Sequence, residues 1–390
     1  MNLRNSMISV PYTVHNQVKL VRGGREYFSE MRKMIREASH SVHLQTYIFE
    51  EDVTGESIAA ELISASLRGV EVYLLLDGYA SRSLADRFIQ RLVSAGIHFR
   101  FFEPVWKSKS FYFGRRLHHK VLVTDAHTAL VGGVNISDRY NDLPDDPAWL
   151  DWAIHVKGDA AVVLFRICVS IWIKFPGEVK KIIKREKISA PDVSLHCLVR
   201  VSRNDWVTRK NEISRTYLEM FRGAQKEIIM MSSYFLPGRV FRRNMSRAFR
   251  RGVKIKLILA GKSDIKIAKQ AERYMYRWLF KNGIEIYEYP HNILHGKIAV
   301  CDSAWVTGGS YNVNNISAYA SIELNLDIRD NSFSGHVQQT LKAIIRDECI
   351  QCTSLTYETN FNFFQRVIQH ASYEIVRLIF FLFTFYFRQR

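Results

Sequence analysis

The sequence predicts an α/β protein of two pseudo-symmetric lobes that share one active-site cleft, each lobe being a mostly parallel or mixed sheet flanked by helices. Two observations predict this fold. Short β-branched and aromatic runs alternate with longer amphipathic segments, and the same order of segments occurs twice along the 390-residue chain. With 47% hydrophobic and 13% aromatic residues, the chain can fill two packed lobes.

The repeat can be followed segment by segment. In the first half, SVHLQTYIFEEDVTG, RGVEVYLLLDG and LVSAGIHFRFFEP precede LHHKVLVTD. In the second half, EIIMMSSYFLPG, RGVKIKLILAG and LFKNGIEIYEYP precede LHGKIAVCD. The lysine-rich stretch FPGEVKKIIKREKISAPDVSL, flanked by prolines, is typical of a linker. We therefore expect an N-terminal lobe over 1–190, a C-terminal lobe over 191–360 and a tail over 361–390.

Composition restricts the partners and the chemistry. Lys and Arg outnumber Asp and Glu by 55 to 38, so the formal charge of +17 should attract polyanions such as anionic lipid headgroups or nucleic acid. The five cysteines are scattered and odd in number, which indicates a reducing compartment. Cys349 and Cys352 form a lone CxxC with no second pair or flanking histidine. We predict no metal site.

Each half contains the pattern His-x-Lys-x4-Asp, followed by a turn that includes glycine and ends in asparagine. Strand alternation places the histidine and the lysine on one face and the aspartate on the other, so each aspartate is expected to brace the strand end. The turn glycines permit a tight backbone, and an asparagine amide can donate to an oxyanion. The predicted catalytic set is His118, Lys120, Asp125, His295, Lys297 and Asp302, and the predicted phosphate ligands are Asn135, Asn312 and Ser310.

Paired histidines and lysines suit reaction at a phosphoryl centre. The anionic oxygens of such a centre need several fixed cationic donors as charge builds in the transition state. One neutral imidazole can attack phosphorus while the other, protonated, supplies a proton to the departing alkoxide. Histidine suits both roles because its ordinary pKa lies near neutral pH. No metal or other cofactor is required when lysines neutralise the phosphate.

These motifs resemble the twin signatures of the phospholipase D superfamily. TYIFEEDVTG, LLDGYAS, YFLPG and RGVKIKLILAG extend the likeness over about residues 17–355, most closely to the short bacterial cardiolipin synthases without N-terminal transmembrane helices. The resemblance implies a covalent phosphohistidine on His118, with His295 as acid and then base. It implies that Lys120, Lys297, Asn135 and Asn312 hold the phosphate. It also implies an acidic residue downstream of each motif, Asp151 and Glu323, which would orient a histidine through its other ring nitrogen.

For this family the implied reaction makes cardiolipin from two phosphatidylglycerol molecules, with release of glycerol and no ATP or nucleotide cofactor. Three enzymatic alternatives stay open: a phospholipase that passes the intermediate to water, a nuclease whose phosphate contacts use the positive charge, and a phosphatidylserine synthase. A catalytically dead lipid-binding scaffold is a fourth, although both motifs are complete. The expected partners are anionic phospholipid and a membrane surface, with no nucleic acid and no obligatory protein partner.

The chain ends suggest how a membrane would be reached. The N-terminus lacks an apolar run of signal-peptide length, so we expect it to stay in the cytoplasm. The apolar run Leu378–Phe387 would reach only about 15 Å as a helix, half of a bilayer core. This run or the aromatic and basic loop 105–117 is expected to insert peripherally on the cytoplasmic face of the bacterial inner membrane. The alternatives are a last core helix and an ordinary solvated loop.

Overall fold

A computed structural model describes residues 10–104, 115–173, 186, 188, 190–314, 321–360 and 362–388, without the side chains of 360 and 380–388. Most of the predicted membrane loop, residues 105–114, lies outside the described residues. So do the side chains of residues 380–387 in the predicted apolar tail. The predicted boundary at residue 190 lies between the helix Asp159–Trp172 and the strand Leu198–Asp205.

The described residues form the following strands and helices. The strands are β1 (Asn16–Arg22), β2 (Ser41–Thr46), β3 (Glu71–Asp77), β4 (His98–Phe102), β5 (Arg116–Leu117), β6 (Lys120–Thr124), β7 (Thr128–Gly132), β8 (Trp152–Gly158), β9 (Leu198–Asp205), β10 (Lys210–Asn211), β11 (Glu227–Ser232), β12 (Lys254–Lys262), β13 (Glu285–Ile293), β14 (Ile298–Cys301), β15 (Trp305–Gly309), β16 (Ser321–Arg329) and β17 (Ile350–Cys352). The helices are α1 (Arg25–Glu37), α2 (Val53–Leu67), α3 (Asp86–Ser94), α4 (Asp159–Trp172), α5 (Glu212–Gly223), α6 (Arg239–Arg250), α7 (Lys266–Lys281), α8 (Asn331–Asp347), α9 (Ser354–Asn360) and α10 (Phe363–Arg388).

The first sheet has the strand order β1-β8-β7-β6-β2-β3-β4. Strands β2, β3 and β4 are parallel and are connected through α2 and α3, as expected of α/β units. The remaining pairs are antiparallel. Strands β6 and β7 form a hairpin, whose turn residues Asp125 and Ala126 have φ of 54° and 47°. The sheet is therefore mixed, and only its β2-β3-β4 portion is parallel.

The second sheet repeats this arrangement in the order β10-β9-β16-β15-β14-β11-β12-β13-β17. Parallel β11, β12 and β13 correspond to β2, β3 and β4, and the β14–β15 hairpin corresponds to β6–β7. The second hairpin turn has the same backbone, since Asp302 and Ser303 have φ of 53° and 55°. The internal repeat of the sequence is thus a structural repeat.

The two sheets pack against each other through one apolar core. Val131 and Ile154 of the first lobe belong to the same buried cluster as Ile298 and Leu324 of the second. The short strand β5, from the first half of the chain, pairs in parallel with β16 of the second sheet. These contacts hold the lobes together and bring the amino-terminal ends of β6 and β14, where the motif histidines stand, within reach of the opposite sheet.

Helix α10 packs along α7 and is apolar on both sides. On the inner side, Val376 joins Leu236 and Met275 in a small buried cluster. On the outer side, Phe364 is 75% exposed and Ile368 is 55% exposed. None of the helices in the described part of the chain combines the length and apolar character needed to cross a membrane.

Candidate active site

His118 follows β5 and is held by the opposite lobe at two points. Its backbone N–H donates to the carbonyl of Ile322, at 3.0 Å. Its ring Nδ1 lies 2.9 Å from Oε2 of Glu323, the next residue of β16. Glu323 is fully buried and accepts two further hydrogen bonds, from the hydroxyls of Ser310 (2.5 Å) and Ser321 (2.7 Å). The carboxylate that orients the His118 ring is therefore itself held in place by two hydroxyl groups.

His295 is held in the same way by the first lobe. Its backbone N–H donates to the carbonyl of Leu150 at 2.8 Å, and its Nδ1 lies 2.6 Å from Oδ2 of Asp151. The other carboxylate oxygen of Asp151 accepts the N–H of Trp152 at 2.7 Å. Each histidine is thus oriented by the carboxylate of the other lobe, a crossing that the order of residues along the chain does not reveal.

Sheet register establishes that Asp151 and Glu323 are equivalent. In the first sheet, Gly132 pairs with Ala153, and in the second, Gly309 pairs with Asn325. Each carboxylate stands two residues before the partner of its turn glycine. Asp151 lies five residues farther from its motif than Glu323 does, and the β7–β8 connection before it includes a 3-10 turn over residues 138–140.

The carboxylates determine which ring nitrogen is available for chemistry. Although burial alone would raise it, the pKa of Glu323 is lowered by His118, Lys120 and the Ser310 hydroxyl. An ionised carboxylate only accepts hydrogen bonds, so Nδ1 of His118 carries the proton and the neutral ring has its lone pair on Nε2. No described residue makes a hydrogen bond to Nε2 of His118 or of His295. Both Nε2 atoms are therefore left for a substrate.

The two motif lysines are buried, each only 2% exposed. Lys120 Nζ donates to the carbonyl of His118, and Lys297 Nζ donates to the carbonyl of His295. Burial lowers the pKa of Lys120 to about 7, with a further contribution from the charge of Lys297. Burial likewise lowers the pKa of Lys297 to about 8. Two cationic groups this deeply buried form a site that favours an anion.

Burial also lowers the pKa of both histidines. For His118 the lowering is opposed by Glu323 and reinforced by both lysines. For His295 burial and Lys297 outweigh Asp151 and bring the pKa to about 4. Since each lysine acts on the histidine of the other lobe as well as its own, the four side chains form one site.

Aromatic rings that sequence reasoning missed pack against both histidines. The ring of Tyr47 meets His118 edge-on, with centroids 4.9 Å apart. Tyr140 lies 5.2 Å from His295, and Trp149 lies 6.0 Å from it. Only the position of Tyr47, directly after β2 in the repeated TYIFEEDVTG segment, offered a signal in the sequence. These rings limit the imidazoles to one orientation.

The motif aspartates, which belong to the predicted catalytic set, make their hydrogen bonds to backbone groups at the far ends of β6 and β14 from the histidines. Asp125 accepts the backbone N–H groups of residues 39–41, at 2.8 to 2.9 Å. Asp302 accepts those of residues 225–227 in the same way. Each carboxylate caps the segment that enters the neighbouring strand, β2 or β11. These hydrogen bonds support the prediction from strand alternation that the aspartates brace the sheet.

The three predicted phosphate ligands have different surroundings. Ser310 donates its hydroxyl proton to Glu323 and so supports that carboxylate, while its role as a phosphate ligand stays a prediction. The counterpart of Ser310 is Gly133, where a Cβ would lie only 2.5 Å from Asp151, so the first lobe has no room for the same bond.

The two asparagines are buried and anchored. The side chain of Asn135 accepts from Ile48 N at 3.2 Å and donates to the Tyr140 hydroxyl at 2.8 Å. Asn312 Oδ1 accepts the Ser233 hydroxyl at 2.6 Å. A role of either amide in phosphate binding stays a prediction.

Comparisons with known proteins agree with this geometry. A family model described as "Cardiolipin synthase, PLD-like domain" matches residues 31–151 and 217–345. Cardiolipin synthase B of Escherichia coli (strain K12) is 33% identical over 345 residues, covering 86% of this chain and 82% of that protein. Cardiolipin synthase B of Salmonella typhi is 34% identical over 345 residues, again covering 86% of this chain and 82% of that protein.

Among solved structures, the phosphatidylserine synthase of Haemophilus influenzae Rd KW20 superposes with a TM-score of 0.71 at 14% sequence identity. The match covers 95% of each chain. At this level of identity the likeness concerns the fold alone. It shows that the two-lobed arrangement extends over nearly the whole chain.

Proposed function

The chain belongs to the phospholipase D-like cardiolipin synthase family, and from that premise we propose that it is a phosphatidyltransferase that makes cardiolipin from two molecules of phosphatidylglycerol. The observation that carries the proposal is the crossed pairing of His118 with Glu323 and of His295 with Asp151. It supplies two imidazoles, one from each lobe, with both Nε2 atoms available beside two buried lysines.

In the first step, the phosphodiester of one phosphatidylglycerol lies between the two Nε2 atoms. Nε2 of His118 attacks phosphorus, and the bond from phosphorus to the glycerol oxygen breaks. His295 gives its Nε2 proton to that oxygen, so free glycerol departs and a phosphatidyl group remains on His118. Lys120 and Lys297 neutralise the equatorial oxygens as charge develops.

In the second step, a terminal glycerol hydroxyl of another phosphatidylglycerol attacks the same phosphorus. His295, now neutral, takes the hydroxyl proton, and the bond from phosphorus to His118 breaks. One phosphodiester is exchanged for another, so the free energy changes little and no energy-rich cofactor takes part. The same residues would serve hydrolysis if water reached the intermediate first.

To act as the acid of the first step, His295 must carry a proton on Nε2. Its pKa is about 4, lowered by burial and by Lys297. A bound phosphodiester anion offsets the lysine charge and raises that pKa, since an opposite charge within a few ångströms favours the protonated ring. Substrate binding therefore itself promotes protonation of His295.

The deciding experiment incubates the purified protein with headgroup-labelled and acyl-labelled phosphatidylglycerol in mixed micelles and resolves the products. Cardiolipin together with free glycerol is the expected result. Phosphatidic acid without cardiolipin would replace the synthase with a phospholipase. No lipid turnover, with cleavage of single-stranded DNA, would replace it with a nuclease. His118→Ala is the control that should form no product of any kind.

We also propose that the protein acts as a peripheral membrane enzyme through the outer face of α10. Phe364, Ile368, Ile375 and Leu378 follow one another at helical spacing on this face, and each is at least 47% exposed. An exposed apolar stripe of this kind is stabilised by the interfacial region of a bilayer. Ile368→Asp should reduce flotation with liposomes, whereas Leu67→Asp, at a 75% exposed position of α2, should not. Equal flotation of the two variants would contradict this role of α10.

A further inference from the structure

A basic cavity lies apart from the catalytic histidines, between the start of α6 and the side of α10. Its volume is about 280 Å³. Leu236 and Val376 form its apolar floor, while Arg239, Arg242 and Arg377 contribute its positive charge. We propose that this cavity binds the phosphate of an anionic phospholipid headgroup and holds a lipid that is not the reacting one.

The charges around the cavity leave cationic groups available for an anion. Arg377 is paired with Glu374 at 3.0 Å, on the solvent side of α10. Arg242 lies against the ring of Trp278, 5.7 Å from its centroid, and its Nε is buried with no hydrogen-bond partner. Arg239 makes no ion pair with any described residue and is exposed at the rim. Guanidinium groups offer two parallel N–H donors, which fit phosphate oxygens.

The first lobe provides an internal comparison. Its equivalent helix, α2, begins with two carboxylates: Asp52 accepts from Gly55 N at 2.9 Å, and Asp138 accepts from Thr54 N at 2.8 Å. The start of α6 has Gly238 as its N-cap, no side-chain cap and no acidic residue in its first turn. At the helix start where the first lobe has two carboxylates, the second lobe has a cavity lined by arginines.

The surroundings identify the anion as part of a lipid. Apolar side chains accompany the arginines, because Leu236 and Val376 line the cavity and Val240 at the start of α6 is 44% exposed. A phosphate in the cavity would therefore have apolar surface beside it for acyl chains. At about 280 Å³ the cavity lies just below the usual range of small-ligand pockets, so it suits a headgroup phosphate and not a whole lipid.

The cavity is connected to the catalytic centre by a short, anchored segment. Residues 233–238 link β11 to α6. At one end Ser233 bonds to Asn312, which closes the turn after the second motif. In the middle, Phe235 N donates to buried Glu272 at 3.1 Å, and Leu236 N donates to the carbonyl of Val313 at 2.9 Å. A lipid held in the cavity would thus lie on the same side of the second lobe as the cleft.

The test of lipid binding in the cavity replaces the N-cap residue Gly238 with either of two side chains that differ only in charge. Gly238 has φ of −67° and ψ of 171°, a backbone that asparagine and aspartate adopt readily as helix caps. Gly238→Asp places a carboxylate where the phosphate would bind, and Gly238→Asn is its uncharged counterpart. Both should melt at the wild-type temperature or above, so loss of binding cannot be attributed to misfolding. Arg243→Gln, on the same helix but outside the cavity, controls for the loss of one positive charge.

The probe is dihexanoyl-phosphatidylglycerol below its micellar concentration, measured by titration calorimetry beside inorganic phosphate. Every protein carries His118→Ala so that no lipid is consumed, and the binding result does not depend on cardiolipin formation. We expect two lipid sites: one weakened at least tenfold by Gly238→Asp alone, the other weakened by Lys297→Gln alone. Phosphate should bind the first site at least tenfold more weakly than the lipid does.

Four outcomes would overturn the proposal. They are two intact sites in Gly238→Asp, an equal loss in Arg243→Gln, phosphate binding as tight as lipid binding, and a single lipid site that responds only to Lys297→Gln. The first and last leave the cavity without a ligand. The second would show that lipid binding depends on general surface charge and not on the cavity. The third would show that the cavity binds free phosphate and not a lipid headgroup.

Discussion

Nδ1 of His118 lies 2.9 Å from Oε2 of Glu323, although the two residues are 205 positions apart in the chain and belong to different lobes. The same relationship joins His295 to Asp151 across 144 positions. Each of these two catalytic histidines is therefore oriented by a carboxylate of the opposite lobe. The catalytic unit is therefore the pair of lobes, and each lobe orients the reactive group of the other.

Replacing Glu323 with glutamine should lower turnover by about 10³ to 10⁴ with little change in substrate affinity. The amide can stabilise the wrong tautomer of His118, and loss of the equivalent carboxylate in hydrolytic triads has an effect of this size. The measurement is the single-turnover rate of phosphatidylglycerol cleavage. Glu288→Gln removes another partly buried carboxylate of the second lobe, one bonded to Lys269, and should change the rate only a few-fold. Similar losses in the two variants would contradict the orienting role.

Replacing His295 with alanine should affect poor leaving groups far more than good ones. Glycerol needs a proton from the acid as it departs, whereas an activated aryl oxide does not. We expect release of glycerol to slow by about 10² to 10⁴, and release of p-nitrophenol from an aryl phosphodiester to slow much less. His118→Ala, which removes the nucleophile, should abolish both. Equal losses on both substrates in His295→Ala would contradict the assignment of His295 as the acid.

Binding of an unreactive phosphonate analogue of the substrate should take up protons. Burial lowers the pKa of Lys120 to about 7, that of Lys297 to about 8 and that of His295 to about 4. The anion raises the pKa of all three groups, so we expect an uptake of more than one proton at pH 8, where Lys120 is largely neutral and Lys297 is about half charged. At pH 6 both lysines are already charged and the uptake should fall to about one. Calorimetry in buffers of different ionisation enthalpy measures this number, and a pH-independent value of zero would contradict the electrostatic account.

Replacing Asp125 should damage stability and leave the chemistry of the folded protein intact. Its carboxylate accepts three backbone N–H groups from residues 39–41, so Asp125→Ala should lower the free energy of unfolding by about 3 kcal/mol. Asp125→Asn should cost less, because asparagine keeps one acceptor and tolerates the φ of 54°. Urea denaturation and turnover per folded molecule separate the two effects. A large fall in turnover with unchanged stability would place Asp125 in the catalytic set.

His43 should make the protein sensitive to acid. Both of its ring nitrogens are buried without a hydrogen-bond partner, and burial lowers its pKa from 6.5 to about 3. Below pH 6.5 the unfolded chain binds a proton at this ring and the folded chain does not, so stability falls as the pH decreases towards 3. His43→Leu should reduce the slope of unfolding free energy against pH by up to about 1.4 kcal/mol per unit in that range. Replacement of exposed His336 by leucine should not, and equal slopes for both variants would argue against this account.

Much of this protein was determined by local sequence. The repeated order of apolar runs predicted two α/β lobes, and the twin motifs predicted the superfamily, and both predictions are confirmed. The reason is that strands, helices and short motifs depend on residues close together in the chain. Strand alternation even predicted that Asp125 and Asp302 would brace strand ends, which is where the structure places them.

The tertiary structure decided how the two motifs form one site. Sequence spacing suggested a carboxylate downstream of each motif, but only the pairing of β5 with β16 and the packing of the two sheets bring Glu323 to His118 and Asp151 to His295. The same packing turned Ser310 towards Glu323 and placed Tyr140 against His295. These relationships depend on sheet register and on burial between distant segments, and neither quantity is encoded in the spacing of residues along one stretch of chain.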